Sequence, residues 1–268
     1  MKTILLATAA VMGLASATLA DGIVIGAGQE GRGYDAYAKT LSARLDGSTV
    51  VNFAGSDEIS LAVCDGDVMV APVQNDARYQ RSKEGCDLRI LGEYGNQEYA
   101  FILFPEGSDY NELSDLSAND KVLVDEIGSG TDLFWTTIND VEAEHGNGSS
   151  WTQATRVNDM FLFADGMAAG GDLDAVIYVG DPQDAQILDF LTNGWTVGEL
   201  YDKDINDMTF NGESLYENAT VNINVPGQFF NEKNDAYVVR SFIVANADAL
   251  RADRKLARDL ALAVKATK

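Results

Sequence analysis

The sequence predicts an α/β fold in two lobes, each a mostly parallel sheet flanked by helices, with a cleft between them. Three observations carry this. Residues 22–73 alternate short apolar strands with amphipathic helices, and the same alternation restarts near residue 99. Two later strand-like segments, 220–225 and 237–245, follow with no low-complexity linker and no short repeat between.

In order, residues 22–25 (GIVI) read as a strand and 26–33 (GAGQEGRG) as a glycine loop. Tyr34, Tyr37, Ala38, Leu41 and Leu45 then fall on one helical face, and Asp46-Gly47 ends that helix. Residues 49–53 are a second strand. Ser56 is placed to cap the next helix, with Asp57 and Glu58 in the first turn, where the helix dipole favours acids. That helix runs to Cys64 and closes at Asp65-Gly66. The continuous apolar run VMVAPV at 68–73 suits a strand buried on both faces.

Residues 99–104 (YAFILF) and 121–125 (KVLVD) are strands of the second lobe. The latter runs into Gly128-Ser129-Gly130-Thr131 and a helix carrying Leu133, Phe134, Ile138 and Val141. Asn158 is the expected cap of a helix reaching Met167, and 174–179 is the next strand. Pro182 suits the first turn of a helix that Asn193-Gly194 ends. Leu256, Leu260 and Val264 stripe a final helix. These readings put lobe one at 21–95 with 215–268, and lobe two at 96–214.

The opening, MKTILLATAAVMGLASATLA, has the form of a cleavable export signal at 1–20. Lys2 is its positive end, residues 4–14 are a short apolar run, and small residues crowd the cleavage site before Asp21. A periplasmic location is the expectation. The net charge is −23, or −24 once Lys2 is removed, which repels nucleic acid and anionic lipid and excludes both as expected partners. Cys64 and Cys86 are the only cysteines, and in an oxidising compartment they are expected to form one disulfide.

Gly26-Ala27-Gly28-Gln29-Glu30-Gly31 fits the GxGxxG pattern of dinucleotide binding. However, the second strand ends in Asn52-Phe53-Ala54, with no acid to hold ribose hydroxyls. What remains is an anion site built from backbone N–H groups at a helix start, with Arg32 able to add a guanidinium. Gly128 to Thr131 form a second such junction, where Ser129 serves as a cap, a ligand donor or both. Ser56 stands at a third. Catalytic patterns are thin: the single histidine, His145, sits at a helix end, and no GxSxG elbow is present. No enzyme activity and no cofactor are expected. Residues 202–213, with Asp202, Asp204 and Glu213, mimic a calcium loop but carry Asp207 where the loop glycine belongs, and read as an acidic surface turn.

Taken together, VIGAGQEGRGYDAY, FAGSDEISLAVCDGDVMVAPVQND, YNELSDLSANDKVLVDEIGSGTDLF, ADGMAAGGDLDAVIYVGDP and VVRSFIVANADAL resemble, in order, the blocks of TAXI-type substrate-binding proteins of tripartite (TRAP) transporters. Those proteins have the type II periplasmic binding-protein fold. The resemblance implies a monomer that captures a small organic anion or a glutamate-like amino acid in the interlobe cleft and delivers it to membrane permease subunits. It maps ligand contacts onto Gly28, Arg32 and Tyr34, onto Ser56, Gln74 and Asn75, and onto Ser129, Gly130 and Thr131. Asp181 is added for an amino group or hydroxyl. GSGTDLF also resembles phosphate-binding proteins, so a phosphate or oxyanion receptor of an ABC-type importer is the alternative expectation, as is a ligand-sensing subunit for a membrane kinase.

Overall fold

The computed structural model describes residues 22–145, 148–227 and 232–267. The expected export signal lies outside these residues. Among the described residues, no helix is long and apolar enough to cross a membrane.

The chain begins with Val24–Ala27 (β1), Gly33–Ser42 (α1), Thr49–Asn52 (β2), Ser56–Asp65 (α2), Ala71–Gln74 (β3), Asn75–Lys83 (α3) and Leu88–Glu93 (β4). β1 pairs in parallel with β2, and a parallel bridge between Ile25 and Val70 joins it to the strand leading into β3. Every side chain of β3 is buried, as its unbroken apolar run requires. Its neighbour is a strand from the far end of the chain, and the core under this sheet gathers Ile25, Ala38, Leu41 and Val70. The Cys64–Cys86 disulfide is formed, tying the end of α2 to the turn after α3 across a separation of 22 residues.

The larger sheet starts at Glu98–Phe104 (β5) and continues through Lys121–Leu123 (β6), Gly130–His145 (α4), Thr155–Val157 (β7), Ala164–Ala169 (α5) and Ala175–Gly180 (β8). Next come Ala185–Thr192 (α6), Thr196–Gly198 (β9), Lys203–Asp207 (α7), the hairpin Thr209–Phe210 (β10) and Glu213–Ser214 (β11), then Glu217–Ile223 (β12) and Glu232–Val239 (β13). The strand order is β12-β13-β5-β8-β6-β7, with β9 also on β5. β6 pairs in parallel with β7 and β8, while β5 is antiparallel to β8, β9 and β13.

Strand β5 shows why the sheet is stable. Ala100, Ile102 and Phe104 face one core with Phe134, Trp135 and Ile138, while Phe101 and Leu103 face the other with Ile187, Phe190 and Trp195. Alternate residues therefore fill opposite layers, and each large side chain so buried contributes about 1.5–3 kcal/mol.

After β13 the chain passes Arg240 and returns to the smaller sheet as Ser241–Asn246 (β14), which lies antiparallel between β3 and β4. Ala247–Ala252 (α8) and Arg254–Ala266 (α9) follow, and Leu260 and Val264 of α9 enter the smaller core.

Several local readings change in the structure. The return to the smaller sheet was expected at 215, but β12 and β13 pair into the larger sheet and the crossing falls at Arg240. Helix α2 is capped by Gly55 in an extended conformation, leaving the Ser56 hydroxyl to accept from the Gln74 N–H at 3.1 Å. Asn158 caps nothing; its amide donates to the Asp125 carbonyl and to Asp132. Pro182 lies in the turn before α6, which Asp184 caps. Residues 202–213 hold α7 and a hairpin, and Glu213 pairs with Arg240 at 3.1 Å, so no twelve-residue calcium loop forms.

Candidate functional site

Three helix starts meet between the sheets. The loop from β1 to α1 is clamped from below: Asn52 Nδ2 donates to the Gly28 carbonyl at 2.7 Å and to Asp35 Oδ1 at 3.0 Å. Asp35 Oδ2 accepts from the Gly31 N–H at 2.8 Å and from Lys39 at 2.7 Å. Lys39 first, then Gly31 and Asn52, hold the Asp35 carboxyl down at about 2. Helices α1 and α2 both begin without a side-chain cap, the arrangement that suits an anion at the first N–H groups of a helix. Helix α4 differs. Ser129 Oγ accepts from the Asp132 N–H at 3.1 Å, and Asp132 accepts from the Gly128 N–H at 3.0 Å. Thr131 Oγ1 accepts from the Val179 N–H at 3.1 Å, fastening α4 to β8.

Together these loops line a cavity of about 420 Å³. The sheets approach closely beside it. A Cβ on Gly55 would stand 2.8 Å from Ser129 Cα, and one on Gly130 would stand 2.5 Å from Gln74 Nε2. At Gly55, where the neighbours are backbone atoms, only glycine permits that contact.

The electrostatics are mixed. Glu98, at the head of β5, accepts from Ser241 Oγ at 2.9 Å, from the Tyr34 hydroxyl at 3.1 Å and from Gln74 Nε2 at 3.4 Å. Burial pushes its carboxyl up, against the pull of those three donors. Burial likewise raises Asp125 and lifts the Tyr34 hydroxyl well above the usual phenol range. Gln74 turns its amide nitrogen to Glu98, and its buried Oε1 has no hydrogen-bond partner. Arg32 lies at the mouth, where Nη1 meets Asp184 of α6 at 3.3 Å, and its side chain is 57% exposed. So exposed a pair is worth at most about 1 kcal/mol. Met160, Phe161, Leu162 and Tyr178 form an apolar wall, with Leu162 78% exposed.

No family model matches the chain, and neither does any curated protein. Solved structures do. The chain is similar to the periplasmic aliphatic sulphonate-binding protein SsuA of Escherichia coli, at 15% identity over 91% of this chain and 68% of that one, with a TM-score of 0.51. It is similar to the alkanesulfonate-binding SsuA of Xanthomonas axonopodis pv. citri, bound to MOPS, at 15% identity over 91% and 73% with a TM-score of 0.50. A Bordetella bronchiseptica RB50 protein aligns at 16% identity over 92% and 70%, with a TM-score of 0.56. The chain has the periplasmic-binding-protein fold. At these identities the likeness is one of fold alone.

Within that two-lobed fold, Gly28, Arg32, Tyr34, Ser56, Gln74, Ser129, Gly130, Thr131 and Asp181 all line the cleft cavity. Asn75 does not. Its N–H donates to the Arg240 carbonyl at 2.8 Å and its Oδ1 accepts from Arg78 at 2.6 Å, so it serves the start of α3. Sequence reasoning missed Glu98, and the signal for it was faint: an acid opening the apolar strand that begins the second lobe. It also missed the Asn52–Asp35 clamp and the apolar wall at 160–162.

Proposed function

We propose that this protein is an exported solute-binding receptor whose ligand carries both a carboxylate and an amino group, a glutamate-like amino acid being the type case. One observation carries the reading. Uncapped helix starts, which favour an anion, share a single cleft with a half-buried carboxylate, Glu98, and an unpartnered acceptor, Gln74 Oε1, which favour an N–H donor. The ligand carboxylate sits at the starts of α1 and α2 and near the Gly130 and Thr131 N–H groups. Its ammonium group sits on Glu98 and Gln74, with Asp181 toward the opening.

Contacts to both lobes at once stabilise the closed form, which a membrane permease then collects. The tripartite-transporter assignment rests on the block-by-block resemblance to TAXI-type proteins, and the monomeric state and periplasmic location belong to the same reading. An inorganic oxyanion is disfavoured by the carboxylates of Glu98, Asp125 and Asp181 lining the same cavity.

The test is a thermal-shift and calorimetric panel on unfolded and refolded protein: amino acids, their deaminated analogues, phosphate, and the sulfonates for which two fold relatives are named. A ligand at a hundred times Kd stabilises by about 2.7 kcal/mol, a Tm rise of about 5–10 °C for a chain this size. An amino acid should produce it, and its deaminated analogue should not. Equal shifts from both, or a response to phosphate alone, overturn the proposal.

A further inference from the structure

Glu142, near the end of α4, is 1% exposed, and its Oε2 has no hydrogen-bond partner. An ionised carboxylate oxygen buried without a partner is costly, so the site demands a counter-charge or a proton. Two further carboxylates converge there from the start of α7. One oxygen each of Glu142, Asp202 and Asp204 lies within 4.8 Å of the others.

Asp202 is held rigidly. Its Oδ1 caps α7 by accepting from the N–H groups of Asp204 at 2.8 Å and Ile205 at 3.3 Å, and its backbone N–H donates to the Tyr237 hydroxyl at 3.1 Å. Oδ2 faces Trp151 Nε1 at a long 3.4 Å. Among the described residues, no lysine or arginine forms an ion pair with Glu142 or Asp202. His145 is the nearby imidazole; its bond to the Val141 carbonyl favours the charged form, and the surrounding acids add to this.

We propose that Glu142, Asp202 and Asp204 hold a divalent cation, calcium being the ion their chemistry fits. All three donors are hard carboxylate oxygens, with no thiolate, and they come from two separate helices. Calcium accepts an irregular oxygen shell completed by water, whereas magnesium demands a near-ideal octahedron. The site lies in the larger lobe, apart from the ligand cleft, and does not use the twelve-residue loop pattern, because Glu213 is engaged with Arg240. Bound there, the cation fastens α7 to α4.

Three carboxylates on a partly solvated site place the affinity in the weak extracellular range, about 0.1–1 mM. Trp151 provides the readout, since its ring stands beside Asp202 and sensitises terbium bound at the same oxygens. The experiment titrates chelator-treated full-length protein with Tb³⁺, then displaces it with Ca²⁺ or Mg²⁺ in moderate salt. The expected result is saturable Trp-sensitised emission, displaced by calcium at millimolar concentration and poorly by magnesium. Glu142→Gln should weaken the calcium midpoint by about tenfold or more, equivalent to about 1.4 kcal/mol.

Asp204→Asn, at a half-buried position, should weaken calcium too and serves if the Glu142 variant folds poorly. Emission that calcium does not displace, or a midpoint unchanged in both variants, overturns the site. Equal displacement by magnesium overturns the choice of calcium. No binding, with Glu142→Gln raising the Tm, overturns it in favour of a proton shared between Glu142 and Asp202.

Discussion

Replacing Asp76 with asparagine tests the energetics of the inter-lobe core directly. Asp76 is fully buried at the start of α3; its Oδ2 accepts from the Tyr216 hydroxyl at 2.9 Å and its Oδ1 from the Ala77 N–H at 2.9 Å. Burial raises its carboxyl from 3.8 to about 7, outweighing the opposing pull of Tyr216 and Ala77, and Glu98 adds to the rise. The folded state therefore keeps the proton that the unfolded chain gives up near pH 4. Stability from this group is fully present below 3.8 and is lost as pH climbs to about 7. At 1.36 kcal/mol for each pH unit the whole span is worth about 4 kcal/mol, and the part lost between pH 5 and pH 8 is about 2.5 kcal/mol.

Asparagine matches the neutral acid in shape and does not titrate. Asp76→Asn should equal the parent below about pH 4, and its advantage should grow by about 2.5 kcal/mol between pH 5 and pH 8. Urea unfolding of both proteins at each pH measures this, with the parent-to-variant difference cancelling the pH response of the many surface carboxylates. A difference flat to within about 0.5 kcal/mol across that range would refute the reasoning, since Asp76 would then titrate as it does in the unfolded chain.

Other expectations follow from the same coordinates. Replacing both Cys64 and Cys86 with serine should cost about 3 kcal/mol in urea unfolding, the loop-closure value for this spacing; a loss under about 1 kcal/mol would place residual structure in the unfolded chain. Gly55→Ala keeps an allowed extended backbone but drives a methyl group into Ser129 and Gly130. It should weaken ligand binding by about tenfold or more while leaving the ligand-free Tm nearly unchanged, and equal losses in both would show that Gly55 supports folding rather than closure. Asn52→Ala removes its bonds to the Gly28 carbonyl and to Asp35, so ligand affinity should fall with little change in Tm, measured by calorimetry and thermal scanning. Phe101→Ala, in a fully buried site, should cost about 3–5 kcal/mol, and a loss below 1 would contradict its packing.

Much of the fold was legible because its elements obey simple periods. The stripe from Tyr34 through Leu41 marks α1, and the apolar run at 99–104 marks β5. Once strands and helices alternate, the helix starts at Gly33, Ser56 and Gly130 must gather at one end of the sheets, which is how residues chosen from separate motifs come to line one cleft. What escaped reading depends on distant partners. The apolar stretch at 237–245 reads as one strand, and nothing local reveals the break at Arg240, whose carbonyl is taken by Asn75. Asn158 looks like a cap until Asp125 and Asp132 compete for its amide. Glu98 is an ordinary acid in sequence, and its meaning comes from Ser241, 143 residues away.

Glu98 and Ser241 are also the first residues after the chain's crossings from one sheet to the other, at the heads of β5 and β14. On the proposed reading, the acid that meets the ligand and the hydroxyl that donates to it therefore stand where the chain passes between the lobes. Recognition and lobe closure, as proposed, would then share the same two side chains. A variant redesigned for a new ligand through the helix-start residues would leave these crossings untouched. One redesigned through Glu98 would also alter its bond to Ser241 at the crossing, so affinity and opening rate should shift together.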